Sequence, residues 1–232
     1  MVVMGKDTAK TIKLSNIQKI IGKRMGQSKR TQPCFYIGTK ADITDINTFR
    51  RQTSKKLKAR LSTNDLFFKA LGLATCDYPL MAGRIKGDNI EISASVNIGF
   101  AISVADDKLL VPVIKGVEKM TIKEVSEQSA ALTQRAKSGQ ITPDQMSDAT
   151  IALSSLGMFG VSDFIAVLPL DMPSILAVGK PTDTVVSDDG KIVVRKLISL
   201  SLACDARIVS EDYAARFLQR IVEYLQEPVS LL

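Results

Sequence analysis

The stretch SLACDARIVSEDYAARFLQ, residues 201–219, reads as a buried strand running into a short turn and then a helix. A rigid junction of this kind is a place to present a base beside an acid that orients it. The positions that would carry the two groups are Ala206 and Ser210, and the 232-residue chain contains no histidine anywhere. Charged residues still border the turn, with Asp205 and Arg207 on either side of Ala206 and Glu211 after Ser210. Ser210 is a good N-cap, and Glu211 and Asp212 are well placed against the helix dipole.

The other reactive groups are three cysteines, Cys34, Cys76 and Cys204, widely separated and without a CxxC pair. Lacking histidine, a zinc site would need all three thiolates and a carboxylate, so no metal is expected and the cysteines read as free thiols in a reducing compartment. Cys204 and Asp205 are neighbours on a strand and project to opposite faces, so at most one of them faces a common site.

The elements that position these residues follow from periodicity. NIQKIIGKRMGQSKR (16–30) reads as a helix with Asn16 as its N-cap and Ile17, Ile20, Ile21 and Met25 in one apolar stripe. Residues 31–43 are extended, entered through Pro33; a basic helix covers 44–59, and a more buried helix covers 62–79, ended before Pro79. Residues 94–105 and 109–116 flank DDK, a hairpin-like turn. An amphipathic helix spans 121–139, with Thr121 and Glu124 at capping-box spacing and Gly139 as its stop. Segments 149–157, 174–180 and 191–204 are apolar and β-branched, and DDG (188–190) turns the chain before the last. The helix after Ser210 buries Ala214, Phe217, Leu218, Ile221, Val222 and Leu225. These patterns predict a mixed α/β domain, a large and partly antiparallel sheet covered by helices, with 1–15 as an N-terminal extension and 16–232 as the core domain. Pro228 stops the last helix, leaving Val229, Leu231 and Leu232 at a chain end that one subunit cannot easily bury.

At 45% hydrophobic residues the chain can build a substantial core, and nothing approaches 18 consecutive apolar residues, so no membrane span is expected. The start, MVVMGKDTAK, has no apolar signal core followed by a cleavage site and reads as a boundary with any targeting segment upstream. Residues 1–60 hold 15 Lys/Arg against 3 Asp/Glu, and the remainder holds 16 against 21. Aromatic residues are scarce in the basic part, which speaks against base stacking and a nucleic-acid partner. Docking of the basic part on the acidic remainder of a like subunit accounts for the charge.

The segments IGKRMGQSK, LSTNDLFFKALGLA, VNIGFAISV…LLVPVIKG, IALSSLGMFGVSDFIAVL, PSILAVGK and ISLSLACDAR…AARFLQ stand in the order and spacing of one family. The chain resembles the dihydrolipoamide acyltransferase core, the C-terminal domain of the second component of 2-oxo acid dehydrogenase complexes. That resemblance implies an α/β, chloramphenicol-acetyltransferase-like two-layer sandwich forming trimers that build a cubic or dodecahedral core. It implies an active site at the subunit interface, with dihydrolipoamide and coenzyme A entering from opposite ends of a channel. Catalysis in the family uses His-x-x-x-Asp-Gly and a serine of the neighbouring subunit's S-x-L-G segment that donates to the tetrahedral oxyanion. Matched residue by residue, the histidine is Ala206, the aspartate Ser210 and the glycine Glu211, whereas the oxyanion-donor position keeps Ser154. Cys34, after Pro33, stands at a channel position commonly held by histidine.

The resemblance therefore implies a non-catalytic structural subunit of a pyruvate dehydrogenase core, similar to the histidine-less family members known as protein X or dihydrolipoamide dehydrogenase-binding protein. The alternative is an acetyltransferase with altered or residual activity. Loss of a general base costs ~10²–10⁴-fold, but a thiol near ~8.5 is still roughly a few per cent thiolate at pH 7, so slow transfer by proximity survives. The implied partners are two further copies in a homotrimer, the catalytic core of the same complex, and dihydrolipoamide dehydrogenase through a domain absent from this chain. No cofactor is held covalently, and coenzyme A and dihydrolipoamide enter only with residual activity. The expected location is the mitochondrial matrix in a eukaryote and the cytoplasm otherwise. The tail residues Val229, Leu231 and Leu232 would dock on a neighbouring trimer.

Overall fold

The computed structural model describes residues 11–104 and 108–232. Helix α1 (Asn16–Thr31) leads into β1 (Cys34–Asp42), α2 (Ile46–Leu57) and α3 (Thr63–Asp77). A small hairpin, β2 (Gly83–Lys86) and β3 (Asn89–Ile92), is followed by β4 (Ile98–Phe100), β5 (Ile102–Val104), β6 (Lys108–Leu110), β7 (Val113–Ile114) and α4 (Ile122–Lys137). The last part comprises β8 (Ile151–Ser155), β9 (Ser174–Val178), β10 (Thr182–Asp188), β11 (Lys191–Asp205) and α5 (Glu211–Gln226). The main sheet runs β1-β11-β9-β8-β4-β7, parallel where β8 meets β4 and β9 and antiparallel elsewhere. Strand β10 pairs with the first half of β11, so β9 and β10 lie end to end along one 15-residue strand. The DDG turn is the expected hairpin reversal, with Asp189 and Gly190 at φ of 47° and 76°.

Register sorts the two sheet faces. Leu153, Leu176, Leu202 and Ile37 form one row toward the helices, and the adjacent row, Ala152, Ile175, Ala203 and Tyr36, points the other way. Helix α3 is buried on nearly every side, and Phe68 meets Phe100 at 5.0 Å between ring centroids. Helix α5 buries the six residues its periodicity marks, and the Thr121–Glu124 capping box opens α4. Among the described residues the second face carries no helix layer. Leu168, Ala166 and Met172 of the irregular stretch 160–173 pack on it, and Ser28 of α1 holds that stretch through a 2.6 Å bond to the Leu168 carbonyl.

Four expectations need correction or completion. The N-cap of α1 is Ser15, not Asn16, because Ser15 and Gln18 close a capping box one residue earlier. Two residues of the α1 stripe are uncovered in one chain, Ile20 at 59% and Ile21 at 37% exposed, and Met25 is half-buried. Periodicity does not mark strand β10, because TDTVVSD faces solvent; its partner strand, not a core, holds it. Leu231 is fully buried: Pro228 does end α5, but Pro228–Leu231 makes a single 3-10 turn that curls back against α2, α3 and α5. Only Val229 and Leu232, 70% and 53% exposed, remain outward. Of the DDK turn, Lys108 opens β6, which pairs with β5, and Asp106 and Asp107 lie outside the described residues. Among the described residues no helix is long and apolar enough to cross a membrane.

Candidate functional site

Strand β11 ends in Asp205, which is 1% exposed. Arg207 closes on it from two residues away: Nε donates to Oδ1 at 2.9 Å, Nη2 to Oδ2 at 2.6 Å and the backbone N–H to Oδ1 at 3.0 Å. Gln32 Nε2 donates to Oδ2 at 3.5 Å and to the Met172 carbonyl at 3.1 Å. A buried carboxylate with four donors is a structural latch, because its lone pairs are already occupied. The same bonding holds the Arg207 guanidinium above its ordinary pKa. The latch fixes the turn on which position 206 sits. Ala206 N–H donates to the Pro33 carbonyl at 2.9 Å, and Ser210 Oγ caps α5 by accepting from Tyr213 N–H at 3.3 Å. The Ala206 methyl, Ser210 and Glu211 are exposed in the single chain. Position 206, on this fixed turn, carries only a methyl group.

All three cysteine thiols are raised above their ordinary value. Cys34 is directly opposite Asp205 on the β1–β11 ladder, and its Sγ donates to the Gln32 carbonyl at 3.3 Å. Burial first, and then the Asp205 charge, pushes the Cys34 thiol up. Cys204 points into the core on the opposite face, as alternation requires, and burial pushes its thiol up to about 12. Cys76 is exposed on α3, with its thiol also raised, chiefly by local desolvation.

Ser154 lies near the end of β8, in the row Ser154–Ala177–Ser201–Gly38. It is half-buried, and its hydroxyl has no hydrogen-bond partner among the described residues. It borders a cavity of about 440 Å³ lined by Phe68, Phe100, Leu109, Met158 and Phe159. The backbone beyond it is pinned by close packing of glycines. A Cβ on Gly179 would meet the Ser162 carbonyl oxygen at 2.0 Å, and one on Gly157 would meet the Gly179 oxygen at 2.5 Å. Leu156 N–H donates to the Val178 carbonyl at 3.2 Å and Lys180 N–H to the Val161 carbonyl at 2.7 Å, closing the crossing.

One chain does not bring these groups together. Two strand spacings separate Ser154 from Ser201, and position 206 is five residues farther along, which places it about 19 Å away. Ala206, Ser210, Glu211 and Cys34 gather at one end of the sheet; Ser154 and its cavity are elsewhere. A second cavity of about 270 Å³ adjoins Asp205, with Gln32, Arg84, Lys86, Glu91, Asp171 and Arg207 in its wall. Gln32 Oε1 and Arg84 Nε are buried there without partners among the described residues. No sequence motif marks these residues; the β2–β3 hairpin brings Arg84 to the site through long-range packing.

Chloramphenicol acetyltransferase shares the fold at a TM-score of 0.55, with 12% identity, covering 88% of this chain and 94% of that one. The chain belongs to the 2-oxoacid dehydrogenases acyltransferase (catalytic domain) family, whose pattern matches residues 6–232. The acetyltransferase component of the mitochondrial pyruvate dehydrogenase complex of Schizosaccharomyces pombe is 31% identical over 224 residues, covering 94% of this chain and 46% of that protein. The mitochondrial pyruvate dehydrogenase protein X component of Mus musculus is 30% identical over 226 residues, covering 95% and 44%. The chain spans about half the length of the curated relatives it matches. Dihydrolipoamide acetyltransferase of Azotobacter vinelandii superposes with a TM-score of 0.91 at 26% identity, covering 97% of this chain and 94% of that one. That crystallographic work concerns the role of a serine, a histidine 52 residues later and an asparagine four residues further in its catalytic mechanism. The same intervals counted from Ser154 reach Ala206 and Ser210.

Proposed function

We propose that this chain is a structural core subunit of a pyruvate dehydrogenase-type complex, packing with histidine-bearing acetyltransferase chains and not performing the proton-transfer step itself. The observation that carries this reading is the methyl group of Ala206 on an otherwise complete latch, in a chain without histidine. Asp205 is occupied by Arg207, and burial raises the Cys34 and Cys204 thiols, so none of these three supplies the missing base. The association is with itself as a trimer and with the catalytic core. The location is the matrix in a eukaryote or the cytoplasm otherwise. The outward pair Val229 and Leu232 is the contact between trimers.

A second reading is acetyl transfer from dihydrolipoamide to coenzyme A at an altered or residual rate. The relatives favour it, because acetyltransferase components outnumber protein X among the strongest matches. Steady-state transfer by the purified chain separates the two. The structural reading predicts a rate at least ~10²-fold below a family acetyltransferase, and turnover within about tenfold of one overturns it. Light scattering with and without the catalytic core tests assembly, and failure to enter that core refutes the partnership.

A further inference from the structure

The cavity beside Asp205 is walled by polar groups that the fold leaves uncommitted. Gln32 is 5% exposed, and its Nε2 donates to the Met172 carbonyl and to Asp205 Oδ2. Those two acceptors fix the amide orientation, because a flipped amide would set oxygen against oxygen. Gln32 Oε1 is therefore an acceptor, buried at the cavity wall with no donor among the described residues. Arg84 in the same wall is its charged counterpart. Its register partner on the β2–β3 hairpin is Glu91, yet the Glu91 carboxylate takes Lys86 Nζ at 3.3 Å. Arg84 is left with Nη2 on the Ala149 carbonyl and a buried Nε without an acceptor, and no carboxylate pairs with it among the described residues. Arg207 is spent on Asp205. Asp171, exposed at the edge of the cavity, takes part in no ion pair among the described residues.

What remains is a cation, a carboxylate and an amide acceptor, with Ile85, Met172 and Ile208 as apolar surface between them. A simple anion would satisfy Arg84 and meet Asp171 with like charge; a simple amine would do the reverse. A zwitterion carries both groups. At about 270 Å³ the cavity falls below the ~300–1,000 Å³ of clefts that take drug-sized ligands, and suits a molecule of amino-acid size. We propose that this cavity binds a free α-amino acid with an aliphatic side chain. The carboxylate accepts from Arg84, the ammonium donates to Gln32 Oε1 and Asp171, and the side chain lies against Ile85, Met172 and Ile208. Because Gln32 is bonded to Asp205 and to the Met172 carbonyl, an occupied cavity ties the β2–β3 hairpin to the latch and to the stretch 160–173. Occupancy does not depend on the chemistry at position 206, so this site and the core-subunit reading stand or fall separately.

The test is calorimetric titration of the purified chain with L-leucine, alongside isocaproate, which lacks the ammonium, and isoamylamine, which lacks the carboxylate. Leucine should bind at one site per chain with Kd below about 1 mM, and each half-ligand at least about tenfold more weakly. Asp171→Asn, at an exposed position, should leave Tm within about 2 °C of the parent and weaken leucine about tenfold. Arg84→Met should weaken it at least as much. Absence of saturable heat up to about 10 mM leucine overturns the proposal. So does leucine binding that both substitutions leave unchanged, or a half-ligand that binds as tightly as leucine. Should Arg84→Met fail to fold, Asp171→Asn and the two half-ligands decide the matter.

Discussion

The C-terminal tail turns one apolar residue inward and two outward within four positions. Leu231 is fully buried where the last turn meets α2, α3 and α5, and Val229 and Leu232 point outward. Truncating Leu231 to alanine removes three buried carbons and opens a cavity between helices that are fixed by the rest of the core. Large-to-small changes of this kind cost about 2–5 kcal/mol, and a site at the chain end relaxes enough to favour about 3 kcal/mol. For a domain of this size that corresponds to a fall in Tm of about 6–12 °C. Val229→Ser with Leu232→Ser should move Tm by less than about 2 °C, because exposed positions contribute little to stability. The same double change should abolish assembly beyond the trimer: docking each side chain is worth roughly 1.5–3 kcal/mol, and repeated contacts around a closed shell act together. Scanning calorimetry reads the first effect and sedimentation velocity the second. A Leu231→Ala protein melting within 2 °C of its parent would refute the burial argument. Large particles persisting in the Val229→Ser, Leu232→Ser protein would remove the tail from the trimer contact.

Arg207→Ala should destabilise by about 2–3 kcal/mol, less than a fully buried pair, since the Arg207 side chain is 42% exposed; adding Asp205→Asn should restore part of the loss in denaturant titrations, and strict additivity would count against the latch. Ala206→His should reach less than about a tenth of family turnover, because Ser210 and Glu211 do not orient the ring as the family's residues do; full recovery in a thioester assay would show that the histidine alone was missing. The Cys204 thiol rises from an ordinary 9.0 to about 12, so the folded state keeps its proton while the unfolded state loses it. Its contribution is therefore intact below pH 9 and declines as pH climbs toward 12, and Cys204→Ala should flatten that alkaline loss in stability measured between pH 8 and 11. Mass-spectrometric thiol labelling at pH 8 should modify Cys76 first, Cys34 more slowly and Cys204 only on unfolding; early labelling of Cys204 would contradict its burial.

Local order was legible in the residues themselves. The 3.6-residue recurrence from Ala214 to Leu225 named the buried face of α5, and Thr121 with Glu124 announced the start of α4, because both depend on residues within a few positions of each other. The absence of histidine needed no structure at all, and it decides what position 206 can do. Other features depend on partners remote in the chain. β10 exists through its ladder with β11, Leu231 is buried because a turn returns it to helices far earlier in sequence, and Gln32 meets Asp205 across 173 residues. The separation of Ser154 from Ala206 depends on strand order and register, which periodicity does not encode. Side-chain alternation says which face a residue takes, and only the packed sheet says how far apart two residues on that face will stand.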